Sequence, residues 1–445
     1  MKKVLILGAG MVAKPIVQYL LKENFHVTVA TRTRSKADAM IKGFSNGEAV
    51  AWTVDDDVTL DKLIAEHDLT VSLLPYAHHL NVAGKCIKHG KEMVTTSYVK
   101  PEMKALDQEA RNAGIIILNE IGLDPGIDHM SAMRIIDYIH DKGGNVDEFY
   151  SLCGALPSLE DADNPFMYKF SWSPKGVIMA SNNDGRYLKH GKETYVSSEN
   201  LFKDTFMVDF PDVSKLEVYP NRDSIDYIDI YKIPEAVTMF RGTFRHKGWC
   251  ETLDVMKRMN LITYDKLDLK GKTYGEMTAM LIGEKTADNL KQKVAGFLGI
   301  DVNAHALKAI EWLGLFDDKP VGREEDSPFE VVSDLMLDKM SLGKEERDMV
   351  VMMHTFLASY PDGKKEVIKS RMLDFGTPAT DTSVARTVAL PAAIAAKMIL
   401  NGKINIKGVY RPVLPEIYNP VLDELEKIGI KMIEDYDLPE SEMIN

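Results

Sequence analysis

Lys2-Lys3-Val4-Leu5-Ile6-Leu7-Gly8-Ala9-Gly10-Met11-Val12-Ala13 runs an apolar stretch into two glycines spaced G-x-G, with a third small residue at Ala13. Gly8 permits a tight strand-to-helix turn, and Gly10 lets the backbone approach a pyrophosphate. Ala13 keeps the next helix close to the sheet, so that its N-terminal amides face the anion. An ordinary glycine-rich βα turn would look similar, so the motif alone points to a nucleotide without naming a reaction.

Outward from it, residues 1 to about 120 alternate short apolar runs with amphipathic ones. Val4–Leu7, Val27–Ala30, Leu69–Leu73, Glu92–Thr95 and Ile115–Leu118 read as buried parallel strands. Ile16–Lys22, Leu60–Glu66, Leu80–Lys88 and Met103–Asn112 carry helical spacing. A right-handed doubly wound parallel sheet, a variant Rossmann fold, is the expected arrangement. Ligands of such sheets lie beyond the carboxyl ends of the strands. After the second strand stands Thr31-Arg32-Thr33-Arg34, where a carboxylate would select NAD. Arg32 would instead attract a 2′-phosphate, which favours NADP (NADPH) and makes NAD the lesser candidate. Leu74-Pro75-Tyr76 and Thr96-Ser97-Tyr98 end later strands and are candidates to pass beneath a nicotinamide ribose.

The chain has 445 residues, enough for two or three domains, and its formal charge is −13. That charge argues against nucleic acid or an anionic membrane as partner, but allows a local basic pocket for an acidic substrate. Cys86, Cys153 and Cys250 are widely spaced, so neither a disulfide framework nor a metal site is expected, and a reducing, cytoplasmic setting fits. Met1-Lys2-Lys3 imitates a secretory start, but Gly8, Gly10 and Pro15 interrupt the run. No uninterrupted apolar window is long enough for a membrane span.

The pattern changes at Gly122-Leu123-Asp124-Pro125-Gly126-Ile127-Asp128-His129-Met130. Asp128 is placed to cap the following helix, whereas Asp124 has no such duty and leaves the sheet toward the expected substrate position. Further on, Phe149–Gly154, Met167–Trp172 and Val237–Phe244 read as strands. Arg222 and Arg245, each close to aromatic residues, suit forked recognition of carboxylates, although surface salt bridging is the alternative. Helical signals dominate from 251 to about 339, Pro361-Asp362-Gly363 marks a hairpin, and an Ala-rich helix runs from about Thr382 to Leu400. The final helix and strand, ending at Lys431–Glu434, are expected to pack back on the nucleotide domain.

These stretches together resemble the saccharopine reductase family, the NADP-dependent, glutamate-forming saccharopine dehydrogenases. The resemblance spans essentially the whole chain. It rests on Gly8-Ala9-Gly10-Met11-Val12, Ser72-Leu73-Leu74-Pro75, Gly122 to Met130, Lys169-Phe170-Ser171-Trp172-Ser173-Pro174, Tyr219 to Ser224 and Arg241-Gly242-Thr243. It implies an α/β fold with a dinucleotide domain at 1–122 plus about 390–445, and a mixed α/β substrate and dimerisation domain at 123–250 plus about 340–389. An all-helical domain would fill 251–339, and the assembly would be a homodimer. The implied reaction joins glutamate to 2-aminoadipate 6-semialdehyde as an imine that NADPH reduces to saccharopine, or runs in reverse. Carried residue by residue, it places cofactor contacts at Gly10, Met11, Val12, Thr31, Arg32, Thr33, Pro75, Ser97 and Trp172. Substrate contacts fall at Ser97, Tyr98, Asp124, Arg222, Thr243, Phe244 and Arg245. Candidates for proton transfer are Asp124, Tyr98 and Cys153, although a single buried cysteine is more often inert packing than an acid. Two other readings remain: an imine-reducing dehydrogenase of carboxynorspermidine type, and a non-catalytic NADP-binding redox sensor.

Overall fold

The computed structural model describes residues 1–444. Packing divides them into two units, Met1–Val146 with Met352–Ser441, and Asp147–Val351 with the residues from Glu442 on.

In the first unit, β1 (Lys3–Leu7) is fully buried from Val4 onward, as a strand covered on both faces must be. It feeds α1 (Ala13–Lys22), whose buried stripe Ala13, Ile16, Val17, Leu20 and Leu21 follows helical spacing. Then come β2 (His26–Thr31), α2 (Arg34–Ile41), β3 (Gly47–Ala51), β4 (Leu69–Ser72), β5 (Glu92–Thr95) and β6 (Ile116–Leu118). The parallel sheet has seven strands in the order Gly408–Tyr410, β6, β5, β4, β1, β2, β3. Its order reverses at β1, which places the switch point beside the Gly8–Gly10 turn. β3 went unread in the sequence because it is an edge strand, buried only at Ala49, and lacks a continuous apolar run.

The C-terminal part closes this unit. Thr382 caps the helix Ser383–Leu400 through its hydroxyl, which accepts from the Ala385 N–H at 3.1 Å. By length and apolarity this helix could cross a membrane, yet 78% of it is buried inside the protein, packed on α1. Gly408–Tyr410 then extends the parallel sheet beyond β6. The last strand, Ile433–Leu438, falls in the same packing unit as the parallel sheet but lies outside that sheet. It pairs antiparallel with Lys365–Phe375. The expected hairpin turn is present, with Tyr360 N–H bonded to Lys364 O and Gly363 N–H to Tyr360 O, both at 2.9 Å.

In the second unit, Thr238–Arg245 pairs antiparallel with Ser214–Pro220 and parallel with Asn145–Pro157. Gly185–Lys189 and Lys192–Val196 form a hairpin that touches it at Met239. Helices Tyr274–Leu281, Leu290–Leu298, His305–Leu313 and Pro328–Met340 complete the unit. The expected strand Met167–Trp172 is irregular backbone instead. Asn164 receives the Phe166 N–H and donates to Tyr168 O, while Lys169 pairs with Asp163 at 2.8 Å and Glu346 at 2.5 Å. Side-chain tethers thus take the place of a ladder, which survives only as a bridge from Phe170 to Ser341.

Candidate active site

Gly8 has φ +107°, and its N–H donates to Ala30 O at 2.9 Å, which fixes the turn against β2. A Cβ at Gly8 would sit 3.2 Å from Leu73 O, whereas one at Gly10 would meet nothing within 4 Å. The two glycines therefore differ in purpose: Gly8 is required by the turn, and Gly10 leaves the way open to an incoming group.

Beside them is a cleft of about 480 Å³, lined among others by Gly8, Gly10, Thr31, Arg32, Thr33 and Pro75. Lys36, Thr53 and Asp55 also line it, and none of these was picked out from the sequence. Arg34 turns along α2 toward Asp38, 3.7 Å away, so Arg32 and Lys36 are the cations of the cleft wall. Two cations and a threonine at the end of β2 fit a 2′-phosphate, and the open face of Gly10 fits a pyrophosphate at the start of α1. Met11 and Val12 stand at that helix start, outside the cleft wall, with Met11 58% exposed.

At the ends of β4 and β5, His79 is buried between two serines. Its Nδ1 lies 2.9 Å from Ser72 Oγ and its Nε2 2.7 Å from Ser97 Oγ. Burial, with the charge of His78 added, pushes its imidazole down to about 4, so the ring is neutral and gives one donor and one acceptor. Ser97 is thus held in place by a residue the sequence reading passed over. A cavity of about 210 Å³ on the same side is lined by Tyr98, His79, Lys100 and Asn119.

Asp124 is half-buried in the turn after β6, its peptide to Pro125 being cis. Gly126 closes the turn with φ +150°, where a Cβ would fall 2.0 Å from Gly122 O. Asp128 does not stand at the cap position. It lies in the first turn of helix Ile127–Asp141 and reaches back to the Gly126 N–H at 2.6 Å, because Gly126 is itself the capping residue.

In the second unit Thr243, Phe244 and Arg245 share the strand Thr238–Arg245, Cys153 lies on the strand beside it, and Arg222 and Trp172 lie outside both. Thr243 pairs with Cys153 on one side and with Tyr219 on the other, followed by Phe244 and Arg245. Cys153 is 7% exposed and Phe244 fully buried. Arg245, 4% exposed, lies 5.2 Å from the Tyr168 ring, 5.7 Å from Tyr219 and 5.5 Å from Trp249. Its guanidinium donates to Phe244 O at 2.9 Å and Tyr219 Oη at 3.4 Å, while Nε has no partner. Among the described residues no carboxylate forms an ion pair with it, although Glu217 faces it across the ladder. Trp172 also carries a buried indole N–H without an acceptor. Arg222 is exposed at φ +56°, past the end of strand Ser214–Pro220.

A family model for the saccharopine dehydrogenase NADP binding domain matches residues 4–118, and one for the saccharopine dehydrogenase C-terminal domain matches 122–430. The chain belongs to the saccharopine dehydrogenase family. A Schizosaccharomyces pombe relative named saccharopine dehydrogenase (NADP+, L-glutamate-forming) is 38% identical over 447 residues, 98% of this chain and 99% of that one. The bovine mitochondrial alpha-aminoadipic semialdehyde synthase is 38% identical over 96% of this chain, which spans 47% of that longer protein. The apo saccharopine dehydrogenase (L-Glu forming) of Saccharomyces cerevisiae superposes with a TM-score of 0.91 at 37% identity, covering 98% of this chain and all of that one.

Proposed function

We propose that this family member is an NADP-dependent, glutamate-forming saccharopine dehydrogenase of lysine metabolism, an oxidoreductase acting on a CH–NH bond. One observation carries the substrate class: Arg245, a buried cation among aromatic rings that makes no ion pair even with Glu217, its neighbour across the strand ladder. A buried charge without a counter-charge is costly, and an anionic ligand offsets that cost. Saccharopine has three carboxylates and one secondary amine. A carboxynorspermidine-type substrate offers Arg222 and Arg245 one carboxylate between them, and a sensor without substrate offers none.

In this reading the Gly8–Pro75 cleft takes the cofactor, which would supply hydride as NADPH and accept it as NADP+ in the reverse direction. Arg222 and Arg245 bind substrate carboxylates. Tyr98, Asp124 and Cys153 are the candidates for moving protons as glutamate and 2-aminoadipate 6-semialdehyde lose water to form the imine, and as that step reverses. Asp124 also suits the role of acceptor for the amine while it is cationic. A homodimer, a cytoplasmic setting and the threefold division into dinucleotide, substrate and helical domains belong to the same proposal.

The test follows absorbance of NADPH and of NADH with glutamate and the semialdehyde supplied. NADPH should be consumed faster than NADH, and neither cofactor being consumed sinks the assignment. Arg245→Met should raise the KM for saccharopine roughly tenfold to a hundredfold, the worth of a hydrogen bond to a charged group. An unchanged KM there refutes carboxylate recognition while leaving the reaction itself standing.

A further inference from the structure

Glu120 is 1% exposed, and it holds φ +56°, a left-handed conformation that a glutamate keeps only when its surroundings over-determine it. Its N–H donates to Ser97 O at 3.1 Å, and its Oε1 accepts the Val99 N–H at 2.7 Å. These two bonds bracket Tyr98. The same Oε1 accepts from Arg411 Nε at 2.8 Å, and Oε2 lies 2.8 Å from His129 Nε2. His129 sits in the first turn of the helix that begins directly after Asp124-Pro125-Gly126. Arg411 follows the edge strand Gly408–Tyr410. Burial works to raise the Glu120 carboxyl, but the hydrogen bond and charge of His129, then Arg411 and the Val99 N–H, outweigh it and hold the group ionised.

We propose that Glu120 is a positioning residue that fixes the Ser97–Val99 loop against the helix following Asp124, and so sets Tyr98 and Asp124 in register. The proposal rests on reading Tyr98 and Asp124 as the polar groups of the reaction. Glu120 does not itself handle protons, because both its oxygens are occupied and it is closed to solvent. Its effect is geometric: a displacement of about 1 Å in a reacting group costs on the order of a hundredfold in rate. His79, bonded to Ser97 Oγ, tethers the same loop a second time at Ser97.

Glu120→Gln keeps the size of the side chain but replaces one acceptor oxygen by an NH₂ that faces other donors. Three measurements separate positioning from general destabilisation: kcat for saccharopine oxidation, NADPH affinity by fluorescence, and amide hydrogen exchange. The expected result is a kcat lower by about thirtyfold or more with NADPH Kd within threefold of wild type. Exchange at the Val99 amide should quicken at least tenfold while the amides of Val4–Leu7 keep their rates. A kcat within twofold of wild type overturns the proposal. So does unchanged Val99 exchange, or equal acceleration at Val4–Leu7, which would mean mere loss of stability. If Glu120→Gln does not fold, Arg411→Gln removes one partner at a partly exposed position and should give the same pattern at smaller amplitude. Should the wild type fail to oxidise saccharopine, the assigned reaction falls, and Val99 exchange still decides the clamp.

Discussion

His79 shows how a buried neutral imidazole couples a site to pH. Its folded pKa is pushed down to about 4, against 6.5 for the free side chain. Between those values the unfolded chain binds the proton and the folded one does not, so stability rises with pH across that window. The full contribution is present above 6.5 and declines as pH falls toward 4. By linkage this group alone lowers stability at pH 4 by on the order of 3 kcal/mol relative to neutral pH. His67 and His246 are likewise pushed down by burial, but they are common to wild type and variant and cancel in the difference. Thermal unfolding of His79→Gln across this range should be flatter in pH than that of wild type. Parallel curves would show that His79 is already charged in the folded protein. Glu120 adds a loss of the same sign at lower pH: its carboxyl is held low in the fold, so its contribution fades as acid protonates it.

Among turns and helices, the two glycine-centred connections fail in different ways. At Gly126 an added methyl would lie 2.0 Å from the Gly122 carbonyl oxygen, with φ already at +150°. Gly126→Ala should therefore cost about 3 kcal/mol or more of folding stability, read by urea unfolding. A cost under about 1 kcal/mol would mean that the turn can relax. At Gly10 a methyl meets no protein atom within 4 Å. Gly10→Ala should leave stability within about 0.5 kcal/mol of wild type. NADPH affinity should fall at least tenfold, because the added carbon stands where the pyrophosphate approaches the backbone. Undiminished affinity would place the cofactor elsewhere.

For the protein as it folds around its cofactor, binding and stability are one quantity. NADPH at about 100 times its Kd should raise unfolding stability by about 2.7 kcal/mol, measured as a shift in the thermal midpoint. NADH at equal concentration should shift it less, since Arg32 and Lys36 of the cleft wall find no 2′-phosphate there. Arg32→Ala should narrow the gap between the two cofactors, and an unaltered gap would shift the discrimination to Lys36 and Thr33. The net charge of −13 does not oppose an anionic guest, because these cations line one cleft, Arg32 just past β2 and Lys36 in α2.

The parallel sheet, the Gly8–Gly10 turn and the preference for a 2′-phosphate were readable because each is local. Buried strands show as apolar runs, a pyrophosphate turn needs glycines at fixed spacing, and Arg32 follows its strand directly. β3 was not legible and Met167–Trp172 is no strand, since an edge strand and a side-chain-tethered loop lack the period that marks regular structure. Glu120 and His79 looked like any polar residues at strand ends. Only tertiary contacts set Glu120 between Val99, His129 and Arg411, the last 291 residues away, and closed water off from His79 between Ser72 and Ser97. The order of residues fixes which groups a strand end can offer. Burial and distant partners decide which of those groups stay charged, which become neutral, and which are held still.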